Sequence, residues 1–256
     1  SCNSFFYEVG YRLSLKDNGI NSISQDNNQG DATNAYYSSE LGLQKLSKYA
    51  QMFGLGETSG LEIPESEPRL SDPQISDDSS VPSAIGQGTN NYTTSQLARY
   101  VTTIANKGTL FDLTLLNKTT DVKGNVIEES QPKIDNTLSD ISAGTWDAVH
   151  EGMRNVVLVS HSSTFSDINR SGFQLSGKTG TAQQSKTHPD HALFIGFAPS
   201  DSPEVAFATR IANGYSSTYA AEVARDVMKY YYQLTPENEL ITGTASSIGS
   251  NASNEG

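Results

Sequence analysis

The residues of this chain best suited by type and spacing to do chemistry are Lys178, Thr179, Gly180 and Thr181, within Ser176-Gly177-Lys178-Thr179-Gly180-Thr181-Ala182-Gln183. Lys178 supplies a positive charge and an amine that can carry a proton. The hydroxyls and N–H groups of Thr179 and Thr181 can hold a carboxylate or a developing oxyanion. Glycine weakens a strand and marks a bulge or a place where another backbone comes close, so Gly180 removes bulk where a ligand would approach. Together these residues describe a site for an anionic acyl substrate, although they also fit a solvent-facing strand whose glycines are bulges. Residues 172–175 lead into the stretch, and after a polar turn comes the apolar run His191-Ala192-Leu193-Phe194-Ile195-Gly196-Phe197-Ala198. That pattern predicts an antiparallel hairpin. Alternation on a flat strand puts Lys178 and Thr181 on opposite faces, so a twist or a bulge at Gly180 is expected to bring both to one cleft.

The elements that must position these groups follow from periodicity and punctuation. Phe6, Val9 and Leu13 predict a helix over 4–16, which places Ser1 and Asn3 at its N-terminal end or in the loop before it. Polar residues 17–35 read as a loop or partly disordered insertion. Leu43, Leu46, Ala50 and Phe53 give a helix over 40–53, stopped by Gly54 and Gly56. Prolines at 64, 68, 73 and 82 leave extended surface loops from 60 to 91. Thr93-Thr94-Ser95-Gln96 is a capping box that opens a helix carrying Leu97, Val101 and Ile104 and ending at Gly108. Residues 109–129 suggest a hairpin turning at Lys123-Gly124-Asn125, followed by an exposed acidic linker. A helix over 142–157 sets Trp146, Val149, Met153 and Val156 on one face, and 204–211 reads as a third antiparallel strand. A closing helix over 217–232 would pack Ala220, Ala224, Val227 and Tyr231 on the sheet. The expected class is α/β of the α+β type, an antiparallel sheet flanked by helices, over residues 1–234, with 235–256 a low-complexity, disordered tail.

With 256 residues the chain can bury a substantial core. A net charge of −12 argues against a nucleic-acid partner, which needs clustered lysine and arginine. The single cysteine, Cys2, rules out an internal disulfide framework. No apolar run approaches the roughly 18 residues of a membrane-spanning helix.

Ser1-Cys2-Asn3 and Lys178-Thr179-Gly180 match two parts of the S-x-x-K, S-D-N and K-T-G set that penicillin-binding proteins share with class A β-lactamases. Ser59-Gly60-Leu61-Glu62-Ile63-Pro64, Ala84-Ile85-Gly86-Gln87-Gly88, the segment from Trp146 to Met153, and Asp190-His191-Ala192 leading to Gly196-Phe197-Ala198-Pro199 follow in the same order. Over about residues 1–232 the chain resembles the transpeptidase domain of a class B penicillin-binding protein of the cell-elongation type. The resemblance implies that Ser1 and Lys178 face each other across the cleft and carry a proton toward the leaving amine. It implies that Asn3 binds the substrate backbone, that Thr179 and Thr181 hold the terminal carboxylate beside Gly180, and that the Thr181 N–H donates to the oxyanion. The implied substrate is a peptidoglycan stem peptide ending in D-Ala-D-Ala, which acylates a serine that is not Ser1, and β-lactam antibiotics would acylate that same serine nucleophile.

In that family the nucleophile lies in an S-x-x-K tetrad upstream of S-x-N, so an upstream part of the same protein is expected to supply it. The parent is expected to be anchored at the extracytoplasmic face of the bacterial membrane, with a membrane glycosyltransferase as a partner. Ser130-Gln131-Pro132-Lys133 matches the tetrad by letter, but proline between serine and lysine prevents the helical turn that would put both on one face. A class A β-lactamase fits less well, because Ser1 and Lys178 are too far apart in sequence and no E-x-x-x-N occurs near Glu65. The rival from another class is a non-catalytic module that binds penicillin or peptidoglycan peptides. Catalysis of this kind requires no cofactor. Cys2, His188, Asp190 and His191 could together hold a structural zinc ion, with ordinary packing and hydrogen bonding as the alternative, while His150 and His161 are given no role.

Overall fold

The computed structural model describes residues 2–16, 37–72, 74, 78–184 and 187–240. Helix α1 (Asn3–Leu13) and helix α2 (Ser39–Met52) meet around the short helix α3 (Ser80–Ser83). Small residues make that joint. A Cβ at Gly10 would lie 2.6 Å from the Ser80 carbonyl oxygen, and one at Gly42 would lie 2.2 Å from Ser14 Oγ. Ser14 Oγ and Ser80 Oγ share a hydrogen bond of 2.5 Å. The predicted apolar face of α1 is partly corrected: Val9 and Leu13 are half-buried but Phe6 is exposed, and the closest contacts run through Gly10 and Ser14. The expected loop over 17–35 lies outside the described residues.

Helix α4 (Thr94–Ala105) starts where its capping box requires: Thr93 Oγ1 accepts from the Gln96 N–H at 3.1 Å, and Gln96 Oε1 accepts from the Thr93 N–H at 2.8 Å. Its inner face carries Val101 and Ile104, and also Arg99, only 1% exposed. The Arg99 guanidinium donates to Glu57 at 2.7 Å, Asp112 at 2.9 Å and Asp135 at 3.0 Å, and to the Phe111 carbonyl at 2.7 Å. One buried cation thus ties α4 to the following strands and to the loop before them.

The hairpin expected over 109–129 is confined to its outer half. Strand β1 (Thr109–Phe111) pairs instead with β4 (Ile134–Thr137), the stretch read as an acidic linker, while β2 (Lys118–Thr120) pairs with β3 (Val126–Glu129). The Asp121 carboxylate holds the intervening turn by accepting from the N–H groups of Lys123 and Asn125. Helix α5 (Ala143–Asn155) runs into a π turn (Val156–Ser160). Trp146 and Met153 are buried as expected, but Val149 is 38% exposed, and the wider turn buries Val157 in place of Val156. Helix α6 (Ser166–Ser171) follows.

Strands β5 (Ser176–Ala182), β6 (His191–Ala198) and β7 (Val205–Ile211) form an antiparallel sheet in the order β5-β6-β7. On one face Phe194, Ala192 and Ala198 pack with Phe165, Ile168 and helix α7 (Ser217–Tyr231); on the other, Phe197 packs with Val101, Ile104 and Met153. The α7 contact is made by Ala220, Ala221, Ala224 and Met228. Val227 and Tyr231, expected on the sheet, are 52% and 59% exposed. Alanines let the helix axis approach the sheet where larger side chains would hold it off. The expected disordered tail over 235–256 is corrected at its start, where Glu237–Leu240 form helix α8; the rest of that tail, 241–256, lies outside the described residues.

Candidate active site

Among the described residues β5 is an edge strand, with β6 on one side only. Its register is unbroken, from Ser176 opposite Phe197 through Gly180 opposite Leu193 to Ala182 opposite His191, so Gly180 is not a bulge. What brings Lys178 and Thr181 together is the edge. Lys178 Nζ donates to the Thr179 carbonyl at 2.8 Å, which shows that this carbonyl points away from β6. In an antiparallel pair the N–H and C=O of one residue point the same way and alternate along the strand, so the Thr181 N–H points to the open edge as well. The Lys178 side chain curls round to the same side. Among the described residues an ammonium and an N–H not engaged by β6 therefore face one open edge, as capture of a carbonyl oxygen requires.

The two glycines of this strand differ in kind. A Cβ on Gly177 would fall 2.3 Å from the Phe194 ring, so packing excludes any side chain there. A Cβ on Gly180 would meet only Leu193, at 3.4 Å and beyond, which is ordinary contact. Neither packing nor left-handed backbone accounts for glycine at 180, which leaves the space in front of it as the reason.

Burial pushes the Lys178 amine below its ordinary value, since an ammonium is penalised away from water. His161, at the end of the π turn, is lowered first by its own burial and then by the positive charge of Lys178. The structure thus adds to the site a residue to which the sequence assigns no role. Its only sequence signal is a lone histidine in a polar segment. Asn3 is exposed at the start of α1, and no hydrogen bond joins it to Lys178 among the described residues; Ser1 lies outside them. Glu65 is pushed up by burial but pulled down further by hydrogen bonds from Ser59 Oγ at 2.6 Å and Ser95 Oγ at 2.6 Å. It clamps the 59–65 loop to the start of α4. Lys133 is held above its ordinary value by its hydrogen bond to Asp112, at 2.6 Å, and so is a poor base for Ser130.

The expected zinc set does not assemble. Among the described residues no three His, Cys, Asp or Glu side chains converge to hold a metal ion, and Cys2 is exposed. His191 Nδ1 accepts from the Asn213 N–H at 3.0 Å, and Nε2 lies 2.6 Å from Gln184 Oε1, so both ring nitrogens are engaged. Asp190 is half-buried at the start of β6, and His188 Nδ1 lies 3.2 Å from Thr187 Oγ1.

Comparison with known proteins places this edge in a family. The profile of the penicillin-binding protein transpeptidase domain matches residues 1–229. Peptidoglycan D,D-transpeptidase MrdA of Acinetobacter baumannii is 28% identical over 226 residues, covering 78% of this chain and 33% of the relative. The structure of penicillin-binding protein 2B from Streptococcus pneumoniae superposes with a TM-score of 0.71 at 25% identity, covering 92% of this chain and 38% of that one. An imipenem acyl-enzyme of penicillin-binding protein A from M. tuberculosis has a TM-score of 0.63 at 26% identity, covering 75% and 43%. The chain spans about a third of the length of the curated relatives it matches. With the profile spanning nearly its whole length and the K-T-G strand exposed at a sheet edge, the chain belongs to the penicillin-binding protein transpeptidase domain family, and its relatives are of class B.

Proposed function

We propose that this chain is part of a serine-type D,D-transpeptidase that cross-links peptidoglycan stem peptides in bacterial cell-wall synthesis and is a target of β-lactams. The observation that carries the reading is the open edge of β5, where Lys178, an outward Thr181 N–H and an unfilled space before Gly180 coincide. In this mechanism a serine of an upstream S-x-x-K tetrad attacks the D-Ala-D-Ala peptide bond. The Thr181 N–H stabilises the tetrahedral oxyanion, and Lys178 with Ser1 passes the proton to departing D-alanine. An amine of a neighbouring stem peptide then attacks the acyl-serine ester and restores the serine. Burial serves Lys178 here, because an amine with a lowered pKa releases its proton more readily near neutral pH. Thr179 and Thr181 hold the terminal carboxylate, and Asn3 aligns the peptide backbone.

The acyl-enzyme of the M. tuberculosis relative supports a covalent intermediate for this fold. No helix among the described residues is long and apolar enough to cross a membrane. We place the site of action at the extracytoplasmic face of the bacterial membrane, on the cell-wall roles that the relatives' names carry, with a membrane glycosyltransferase as the proposed partner of the parent protein.

The test is to express the chain together with that upstream part, incubate it with a fluorescent penicillin, and identify each band of a denaturing gel by mass. Label on the serine of an upstream S-x-x-K peptide is expected. A parent in which no serine is labelled would sink the catalytic reading and favour a module that only binds.

A further inference from the structure

At the C-terminal end of β5 a cavity of about 350 Å³ lies between that strand and the Gly86-Gln87-Gly88 loop, lined among others by Ala182, Gln183, His191, Arg69 and Arg210. Two arginines share it. Among the described residues neither has a carboxylate within ion-pair reach, whereas Arg12, Arg99 and Arg225 each do. Arg69 spends its Nε on the Thr89 carbonyl at 2.7 Å. Arg210 has Nη2 3.2 Å from His191 Nε2, but His191 Nδ1 already accepts a backbone N–H, so Nε2 carries the ring proton and offers no lone pair. Its proton goes to Gln184 Oε1 at 2.6 Å. Two guanidinium groups with spare donors therefore face one polar cavity in a chain whose net charge is −12. Unneutralised paired arginines of this kind suit a carboxylate, which can accept from both at once.

Position supplies the substrate. Ala182 follows Lys178 by four residues on the same face of β5, about 13 Å along a strand. A peptide laid antiparallel on the free edge, its terminal carboxylate at Thr179 and Thr181, runs its preceding residues toward Ala182 and Gln183. We infer that Arg69 and Arg210 form a subsite for an internal carboxylate of the donor stem peptide, about two to three residues before the bond that breaks. This inference rests on the transpeptidase reading and adds to it a basis for choosing among stem peptides: free internal carboxylates are accepted and amidated ones disfavoured.

The test uses this chain and two synthetic stem pentapeptides ending in D-Ala-D-Ala, identical except that an internal glutamyl α-carboxyl is free in one and amidated in the other. Binding is followed by NMR at the backbone amides of β5 and at the Nε–H groups of Arg69 and Arg210. The free acid is expected to bind about tenfold more tightly, moving the arginine resonances only in that form. The preference should shrink to within about twofold in R69Q/R210Q and persist in R170Q, a substitution on α6 that does not line this cavity. Equal affinities of the unsubstituted chain for the two peptides would overturn the subsite and leave the transpeptidase reading in place. Because that comparison needs no variant, misfolding of R69Q/R210Q cannot mask it. Failure of both peptides to perturb β5 would overturn the subsite together with the reading beneath it.

Discussion

Gly180 separates a structural requirement from a functional one. Its neighbour Gly177 is fixed by the Phe194 ring, but a methyl at 180 finds only ordinary contact with Leu193. Gly180→Ala should therefore leave the melting temperature within about 2 °C, since strand glycine-to-alanine changes are worth less than about 1 kcal/mol. The same change should cut binding of stem peptide at the β5 edge by roughly tenfold or more, because the methyl stands where the ligand backbone must come. A variant that unfolds, or one that binds normally, would show the glycine to be there for another reason.

Lys178 is testable through pH. Its folded pKa lies below the ordinary 10.5, so the unfolded chain binds more protons in the interval between the two values, and stability rises with pH there. Below that interval the buried ammonium is a standing cost. Urea unfolding should find Lys178→Met favoured relative to the unsubstituted chain at pH 7, with the difference shrinking as pH approaches 10. The His161 titration, read by NMR in the same variant, should move up toward 6.5 without reaching it, because burial, the largest of its causes, is untouched by the substitution. A gap that widens with pH, or a His161 titration that stays put, contradicts the assignment.

At the scale of elements, what the sequence makes legible is what is local. The start of α4 is legible because a capping box is four consecutive residues whose side chains and N–H groups satisfy each other. The β5–β6 hairpin is legible because β6 is apolar and the turn before it is polar. The pairing of β1 with β4 is not, since β4 is four exposed residues bound through their backbone and leaves no apolar alternation to read. The α7 contact is misleading for a related reason. Hydropathy favours Val227 and Tyr231 as inward residues, yet close approach to the sheet selects alanine. Arg99 gives no signal at all, as an arginine in a helix normally reads as surface. Its cluster predicts a large effect: Arg99→Met should destabilise by about 3 kcal/mol in urea unfolding, because it strands carboxylates arranged around a missing cation. A loss under about 1 kcal/mol would mean that water replaces the guanidinium without penalty.

For the molecule as a whole, the sheet is covered on one face by α7 and on the other by α4 and α5, leaving the β5 edge open between the two cores. The site that opens there shows in the sequence through family resemblance and through no regular pattern. Asn3 and Lys178 stand far apart along the chain, and no periodicity relates them. Net charge, likewise, is a sum. It speaks against clustered cations as the dominant surface while concealing Arg69 and Arg210 in one cavity. His161 is hidden in the same way, because its meaning arises from the Lys178 charge across the fold.

The joint beneath α1 reaches further than packing. Gly10 stands against Ser80 and Gly42 against Ser14 with no clearance, and Gly10 lies about 10 Å along the helix axis from Asn3. A methyl at either glycine acts as a shim, levering α1 and carrying Asn3 with it while every group lining the cleft keeps its identity. On the proposed transpeptidase reading, in which Asn3 aligns the peptide, preference among acyl donors is thereby open to inherited change through two buried positions that a survey of the cleft wall would never sample.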